Sequence, residues 1–144
     1  MNEASYRLLT ADDIPAMKEI FVGTDSKYLP GQIGKFMADP KNLAFGAFLD
    51  ERMVGLLYGY SLCRMDDRGP QFFVYSVDVL PAFQGRGIGT AFFRYAVEYC
   101  RENGFCEVFV PTEKGNVPAC RVYEKAGGKS DYDDEVIYVI EFDR

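Results

Sequence analysis

Histidine is absent from the 144 residues of this chain. Its absence excludes Ser-His-Asp and Cys-His nucleophile chemistry, because both need an imidazole to accept a proton. Proton transfer must then use tyrosine, aspartate, glutamate, lysine, cysteine or water. Cysteine is sparse and forms no Cys-x-x-Cys pair, so we expect no metal site. The four cysteines are Cys63, Cys100, Cys106 and Cys120, and we expect most of them to be small core residues in a reducing compartment.

Basic residues are also in the minority, with 16 Lys and Arg against 22 Asp and Glu and a net charge of −6. This balance argues against non-specific nucleic-acid binding, which needs a basic surface. No apolar run approaches the length of a membrane span, and no basic segment followed by an apolar one begins the chain. We therefore expect a soluble cytoplasmic protein, without nucleic-acid or membrane partners. With 48% hydrophobic residues, one globular domain is the simplest expectation.

Hydrophobic periodicity predicts alternating strands and helices along the chain. The predicted strands are Tyr6–Leu9, Leu43–Leu49, Val54–Cys63, Phe72–Leu80, Phe105–Val110 and Val136–Phe142. The predicted helices begin after a Thr10 and Asp13 capping box, at Gln32–Ala38, at Thr90–Asn103, and from Pro118 to the stop at Gly127. The order predicts an α/β (α+β) domain with a mixed, mostly antiparallel central sheet flanked by helices.

A glycine-rich run joins the strand Phe72–Leu80 to the helix that follows. The run reads Gln84, Gly85, Arg86, Gly87, Ile88, Gly89 and Thr90. Three glycines in five positions let backbone N–H groups turn toward one point at a helix N-terminus, where a pyrophosphate is held best. The run therefore predicts a site for a phosphate-bearing ligand. The alternative is a glycine-rich turn that binds nothing.

Two common phosphate-binding patterns do not fit this run. The nucleoside triphosphate loop requires a lysine directly after its last glycine, and none is present. The dinucleotide fingerprint G-x-G-x-x-[GA] requires a small residue where Thr90 stands, and it normally opens the first βαβ unit. The pattern that fits is [QR]-x-x-G-x-[GA], present as Gln84-x-x-Gly87-x-Gly89.

Two further segments accompany this pattern. The strand before it contains Tyr75-Ser-Val-Asp-Val-Leu-Pro81, and Asn116-x-x-x-Cys-Arg-Val-Tyr-Glu-Lys-Ala-Gly127 follows it. In this order and spacing, the three segments resemble the GNAT superfamily of acetyl-CoA-dependent N-acetyltransferases. The resemblance covers the element order from Tyr6 to Phe142 and is densest from Phe72 to Gly128. It implies the GNAT fold, one N-acetyltransferase domain over residues 1–144, and acetyl-CoA as cosubstrate.

The resemblance implies how the cosubstrate is held. In similar enzymes the strand before the loop pairs with the pantetheine arm, and a bulge there would aim a backbone N–H at the thioester oxygen. The backbone N–H groups from Gly85 to Thr90 would bind the pyrophosphate. The implied cofactor-binding residues are Val77, Val79, Gln84, Gly85, Arg86, Gly87, Ile88, Gly89, Thr90 and Asn116. For Arg86, the alternative is a solvated loop arginine.

Two residues of the third segment, 116–127, can each be interpreted in two ways. Asn116 matches an asparagine that similar proteins place near the pantetheine and adenosine portion, and it also suits a helix cap. Tyr123 matches the tyrosine that similar enzymes place beside the thioester sulfur. Because a phenol has an ordinary pKa of about 10, it stays protonated at neutral pH and can donate to a departing thiolate. Tyr123 is therefore the predicted catalytic acid, and a packed helix tyrosine is the alternative.

The acceptor amine must lose a proton before it attacks, and carboxylates are the natural candidates to assist. Simple alternation predicts that one strand face carries Phe72, Val74, Ser76 and Asp78, and the other Phe73, Tyr75, Val77 and Val79. Asp78 is a charge between two valines where the strand approaches the loop. We predict that it binds the substrate or acts as a catalytic base, with a solvated strand end as the alternative.

A second group of carboxylates lies near the C-terminus. It consists of Asp131, Asp133, Asp134 and Glu135. Clustered carboxylates focus a negative potential that attracts cations, so we predict substrate binding by Asp134 and Glu135. The alternative is an acidic surface turn.

The acceptor is predicted from a looser resemblance. The acidic cluster, together with Phe45–Phe48 and Tyr58-Gly-Tyr60, resembles the aminoglycoside 3-N-acetyltransferase branch. The chain departs from that branch at Ser76, where an aspartate is usual, and at 113–116, which poorly match its acidic stretch. The resemblance implies direct acetyl transfer to a primary amine of a small cationic acceptor, aminoglycoside-like or polyamine-like.

Other functions stay open at this point. A protein N-terminal or lysine acetyltransferase would use the same chemistry, and an acyl-CoA-binding module would use the fold without turnover. Similar proteins often dimerise, so a homodimer is a further expectation.

Overall fold

Five strands and four α-helices form the part of the chain that the computed structural model describes, residues 3–130 and 134–143. The strands are β1 Ser5–Leu8, β2 Asn42–Leu49, β3 Arg52–Leu62, β4 Gln71–Val79 and β5 Glu107–Phe109. The helices are α1 Ile14–Gly23, α2 Gln32–Ala38, α3 Ile88–Glu102 and α4 Val117–Lys125. Single 3-10 turns at Ala11–Asp13 and Pro81–Phe83 lead into α1 and the glycine run.

The strands form one sheet in the order β1-β2-β3-β4-β5. The first four pair antiparallel, whereas β4 and β5 are parallel. The register of β4 with β5 covers only Gln71 to Phe73, opposite Glu107 to Phe109. The last six residues of β4, 74–79, therefore extend past the paired part of β5. The predicted mixed, mostly antiparallel sheet is confirmed, and it opens beside the second half of β4.

The two faces of the sheet carry separate cores. On one face Phe92 of α3 lies in one core cluster with Phe45 and Phe72 of the sheet, and each of the three is 0% exposed. On the other face α1 and α2 cover a smaller cluster that includes Met17 and Leu56. Burial of apolar surface on both sides fixes the sheet between the helices.

Local signals set several element ends as predicted. The hairpin between β2 and β3 turns at Asp50 and Glu51, whose φ angles of 50° and 67° suit a two-residue hairpin turn. At the entry to α1, the Thr10 N–H donates to the Asp13 carboxylate at 2.8 Å, which confirms the capping contact. The bounds of α2, Gln32–Ala38, agree with the prediction.

Two predicted elements differ. Helix α3 begins at Ile88 and not at Thr90, because the left-handed Gly87 completes the turn and serves as its N-cap. The predicted strand Val136–Phe142 is wrong: the segment is irregular, and its large apolar side chains are 70% to 89% exposed. Alternation indicates which face a strand would bury, but it supplies no neighbouring strand to pair with the backbone.

The cysteines also differ from expectation. Only Cys100 is buried, whereas Cys63 is exposed and Cys106 and Cys120 are partly exposed. No helix within 3–130 or 134–143 is long and apolar enough to cross a membrane.

Candidate functional site

Strand β4 contains a bulge at the centre of the candidate site. In its register with β3, Ser76 lies opposite Tyr58 and Val74 lies opposite Gly59, so Tyr75 has no partner residue. An extra residue on one strand bends it and increases its local twist. The bulge implied by the family resemblance is therefore present.

The predicted faces hold from Phe72 to Tyr75, and the bulge reverses them for the residues that follow, 76–79. Val77 and Val79 join Phe72 and Val74 in the core under α3. Their predicted companion on the other face, Tyr75, instead contacts rings on the opposite side of the sheet. Alternation fails here because one unpaired residue shifts the period of two by one position.

As a result, Asp78 lies on the α1 and α2 face. It is opposite Leu56, a core residue of that face, and the Ser76 hydroxyl donates to its Oδ2 at 2.9 Å. Burial raises the pKa of both Tyr58 and Tyr123, and the charge of Asp78 adds to this effect. The carboxylate is partly buried and not a solvated strand end.

The glycine run turns through two left-handed residues, with φ of 76° at Gly85 and 80° at Gly87. A Cβ added at either glycine would meet no atom within 4 Å. The glycines are therefore needed for backbone conformation and not for room inside the protein. The space outside the loop is open to a ligand.

The first turn of α3 has backbone donors directed out of the helix. The first α-helical hydrogen bond runs from Ala91 N to Gly87 O at 3.2 Å, so the amides of 88–90 precede any intrahelical acceptor. Within residues 3–130 and 134–143, no side chain caps them. The positive end of the dipole of this 15-residue helix adds to these donors, which makes an anion site.

Two long side chains brace the loop. Gln84 Nε2 donates to Val79 O at 2.9 Å and so fixes the loop against the end of β4. Arg86 Nη2 donates to Ala82 O at 3.3 Å, and its guanidinium lies 5.3 Å from the Phe83 ring centroid. Direct contact of either side chain with a cofactor stays a prediction.

Tyr123 projects from α4 against the start of α3. Its ring centroid lies 4.8 Å from that of Phe93, and a Cβ at Gly89 would lie 4.0 Å from the neighbouring Val122 side chain. Burial, and then electrostatic interactions that include the Asp78 carboxylate, raise the pKa of Tyr123 above its ordinary value. The phenol is thus held protonated next to the anion site, as a leaving-group acid requires.

Asn116 begins α4 by accepting the Ala119 N–H on its side-chain oxygen at 3.3 Å. The helix-cap reading is confirmed, and contact with the cofactor stays a prediction. Of the acidic cluster, Asp134 and Glu135 are exposed. Asp131 and Asp133 lie outside the described residues. Acceptor binding by this cluster is untested.

The structure adds a feature that the sequence prediction missed. A cavity of about 470 Å³ lies on the α1 and α2 face, and three of its lining residues are Phe36, Tyr58 and Tyr60. Tyr75 packs against both tyrosines. The Tyr-x-Tyr spacing in β3 indicated two rings on one face. Alternation separated Tyr75 from Ser76 and Asp78, and only the bulge brings all three to that face.

Comparison with known proteins agrees with this arrangement. The family model for the Acetyltransferase (GNAT) family matches residues 11–128. The N-alpha-acetyltransferase RimI of Mycobacterium tuberculosis is 32% identical over 111 residues, which are 76% of this chain and 65% of that protein. The chain thus spans just under two thirds of this curated relative.

Solved structures agree in fold. An aminoglycoside acetyltransferase from an uncultured soil metagenomic sample, in complex with sisomicin, has a TM-score of 0.83 at 21% identity, covering 98% of this chain and 97% of that one. The aminoglycoside N-acetyltransferase AAC(6′)-Iy in complex with CoA has a TM-score of 0.79 at 15% identity, covering 98% and 96%. Since the family model spans β4, the glycine run and α4, the chain belongs to the acetyltransferase (GNAT) family.

Proposed function

We propose that this chain transfers the acetyl group of acetyl-CoA directly to the primary amine of a small cationic acceptor. One observation carries this function: an anion-binding helix start, a bulged strand with an open edge and a protonated phenol converge at the end of β4. Each feature alone has a structural explanation. Together they match what acyl transfer from a phosphate-bearing thioester needs.

The residues present fit acetyl-CoA. Its pyrophosphate would be bound by the backbone N–H groups of 85–90, where the left-handed glycines leave open space. Its pantetheine arm would lie along Val77 to Val79, in the part of β4 that extends beyond its pairing with β5. Bound there, acetyl-CoA supplies an activated acyl group.

Tyr123 would act on the leaving group. When the amine nitrogen bonds to the acetyl carbon, the carbon–sulfur bond breaks and the thiolate needs a proton. The Tyr123 hydroxyl, whose pKa is raised by burial, carries that proton at neutral pH. The adjacent ring of Phe93, at 4.8 Å, holds the phenol in place.

Asp78 would act on the acceptor. Its carboxylate can bind the incoming ammonium and take up the proton that the nitrogen must lose, directly or through water. The Ser76 hydroxyl, bonded to Asp78 Oδ2 at 2.9 Å, fixes one carboxylate oxygen. Asp134 and Glu135 would add long-range attraction for a cation.

The first test replaces Tyr123 by phenylalanine. We expect Tyr123→Phe to lower kcat on the order of tenfold or more, because the thiolate then leaves without a positioned proton donor. The measurement is CoA formation followed by chromatography and mass spectrometry. The calorimetric Kd for CoA should be unchanged, because the phosphate-binding amides lie in 85–90.

The matched control is Tyr95→Phe, which removes a phenol that packs against Tyr6 and Phe45 in the core under α3. Its kcat should equal that of the wild type. A wild-type rate in Tyr123→Phe would remove this residue from the mechanism.

The similarity to RimI keeps a peptide amino terminus as a second candidate acceptor. A panel of aminoglycosides, polyamines, amino acids and short peptides separates the two. Turnover of peptides alone would replace the small-molecule acceptor with a protein N-terminus. Saturable CoA binding without turnover of any amine would indicate a binding module.

A further inference from the structure

Four aromatic rings on the α1 and α2 face contact one another in a cycle that we call the aromatic wall: Phe36, Tyr58, Tyr60 and Tyr75. Each ring contacts two others. Phe36 lies 5.2 Å from Tyr58 and 5.6 Å from Tyr60, and Tyr75 lies 5.7 Å and 5.8 Å from the same two rings. Edge-to-face and tilted contacts of this kind hold rings in fixed orientations.

The aromatic wall remains accessible. Tyr75 is 61% exposed, and Phe36, Tyr58 and Tyr60 are partly exposed around the cavity. The cavity volume of about 470 Å³ falls within the range of about 300–1,000 Å³ that is usual for small-molecule sites. Four adjoining aromatic rings would bury more apolar surface if they were a plain core. Their exposure is typical of a ligand-binding surface.

The aromatic wall adjoins the proposed reaction centre. Tyr58 lies opposite Ser76, whose hydroxyl binds Asp78, and the cavity residue Leu56 lies directly opposite Asp78 in the sheet. The end of the cavity at Leu56 therefore lies beside the position of Asp78, although Asp78 is not itself a lining residue. That end is the place for an amine.

The charged residues around the cavity limit how many positive charges a bound acceptor can carry. Its lining includes two ammonium groups, Lys27 and Lys35, and one carboxylate, Asp39. The Asp39 Oδ1 already accepts the Lys41 N–H at 2.9 Å. A second or third positive charge on the acceptor would meet these lysines, so the cavity disfavours a polycation.

We propose that the preferred acceptor is a monoamine carried on an aromatic body, with the ring against the aromatic wall and the amine at Asp78. This inference rests on the acetyl transfer proposed above, and it narrows the small cationic acceptor to an arylalkylamine. Ring stacking supplies affinity, and the single amine is directed to the carboxylate.

The test compares four amines at fixed acetyl-CoA: 2-phenylethylamine, n-hexylamine, spermidine and kanamycin. We expect kcat/KM for 2-phenylethylamine to exceed that for each of the others by about fivefold or more. Preference for spermidine or kanamycin would overturn the inference while leaving acetyl transfer intact.

A variant separates the aromatic wall from the rest of the site. Tyr60→Leu keeps an apolar side chain but removes the ring. Its kcat/KM should fall about fivefold or more for 2-phenylethylamine and stay within about twofold for n-hexylamine, with an unchanged Kd for CoA. An equal fall for both amines would contradict a ring-specific contact. If circular dichroism shows that Tyr60→Leu is unfolded, Phe36→Leu on α2 serves the same purpose.

If none of the four amines is acetylated, the proposed acetyl transfer is contradicted. A measurement of amine binding then tests the aromatic site by itself. Calorimetric binding of 2-phenylethylamine that is lost in Tyr60→Leu would support the aromatic site without turnover. Absent or unchanged binding would overturn it.

Discussion

The two faces of the sheet use aromatic residues in opposite ways. On the α3 face, Phe45 and Phe72 of the sheet and Phe92 of α3 are each 0% exposed, and edge contacts of Phe45 with Phe72 and Tyr99 fill the space between helix and strands. On the α1 and α2 face, Tyr75 is 61% exposed and the neighbouring tyrosines surround a cavity. Aromatic residues therefore fill the core on one face and form an accessible surface on the other.

The difference follows from how each face is covered. The 15-residue helix α3 lies along the sheet and buries its apolar stripe fully. Helices α1 and α2 have 10 and 7 residues and leave part of β3 and β4 uncovered. Stability should therefore depend most on the α3 face and ligand selection on the other.

The largest expected difference is between two aromatic residues of β4. Phe72→Ala should lower the free energy of unfolding by about 3–5 kcal/mol, because it removes a fully buried ring and leaves a cavity. Tyr75→Ala, on the opposite face of the same strand, should cost less than about 1 kcal/mol. Urea denaturation measures both, and equal losses would erase the distinction between the faces.

A smaller effect separates two left-handed glycines that are both helix N-caps. Gly87 at φ 80° begins α3, and Gly31 at φ 86° begins α2. Alanine at either position should cost about 1–2 kcal/mol of stability, because an L side chain strains that backbone. Calorimetry should find weaker CoA binding, by about fivefold or more, only in Gly87→Ala.

Gly31→Ala is thus the control for strain without loss of the anion site. Equal CoA affinity in the two variants would place the phosphates elsewhere. The expected loss of stability does not come from a steric clash, since a Cβ at either glycine would meet no described atom within 4 Å.

The smallest effect concerns the N-terminus of α1, on the α1 and α2 face of the sheet. Arg7 binds both oxygens of Asp13, at 2.8 Å and 2.9 Å, and this hydrogen bonding lowers the pKa of Asp13. Asp13→Asn should cost about 0.5–1 kcal/mol at pH 7. A lowered folded-state pKa gives stability that is present above the unfolded pKa of about 3.9 and is lost as pH falls through the folded value.

Urea midpoints of the wild type and Asp13→Asn should therefore converge as the pH is lowered below about 3.9. Asp12→Asn, at the exposed neighbouring position, is the control and should match the wild type at each pH. A difference that persists in acid would assign the loss to something other than the Asp13 charge.

Much of the fold was predictable because its signals are local. The capping contact between Thr10 and Asp13, the turn at Asp50 and the bounds of α2 each depend on neighbouring residues. The glycine run was equally readable, since a left-handed backbone restricts residue choice directly.

The errors concern residues whose position depends on distant partners. The faces of Ser76 and Asp78 depend on a bulge against β3. Residues Val136–Phe142 would form a strand only if a neighbouring strand paired with them, and the segment is irregular. Residue identity alone fixes neither. Composition was a similarly weak guide for the cysteines, of which only Cys100 is buried.

The sequence by itself predicted where a phosphate would bind, because the left-handed conformation of glycine is a property of single residues. The family resemblance predicted which phenol would donate a proton. Only the tertiary structure decided on which side of the sheet Asp78 lies. One unpaired residue, Tyr75, turns Asp78 toward the aromatic wall. Strand register is a property of two chain segments, so no reading of β4 alone could supply it.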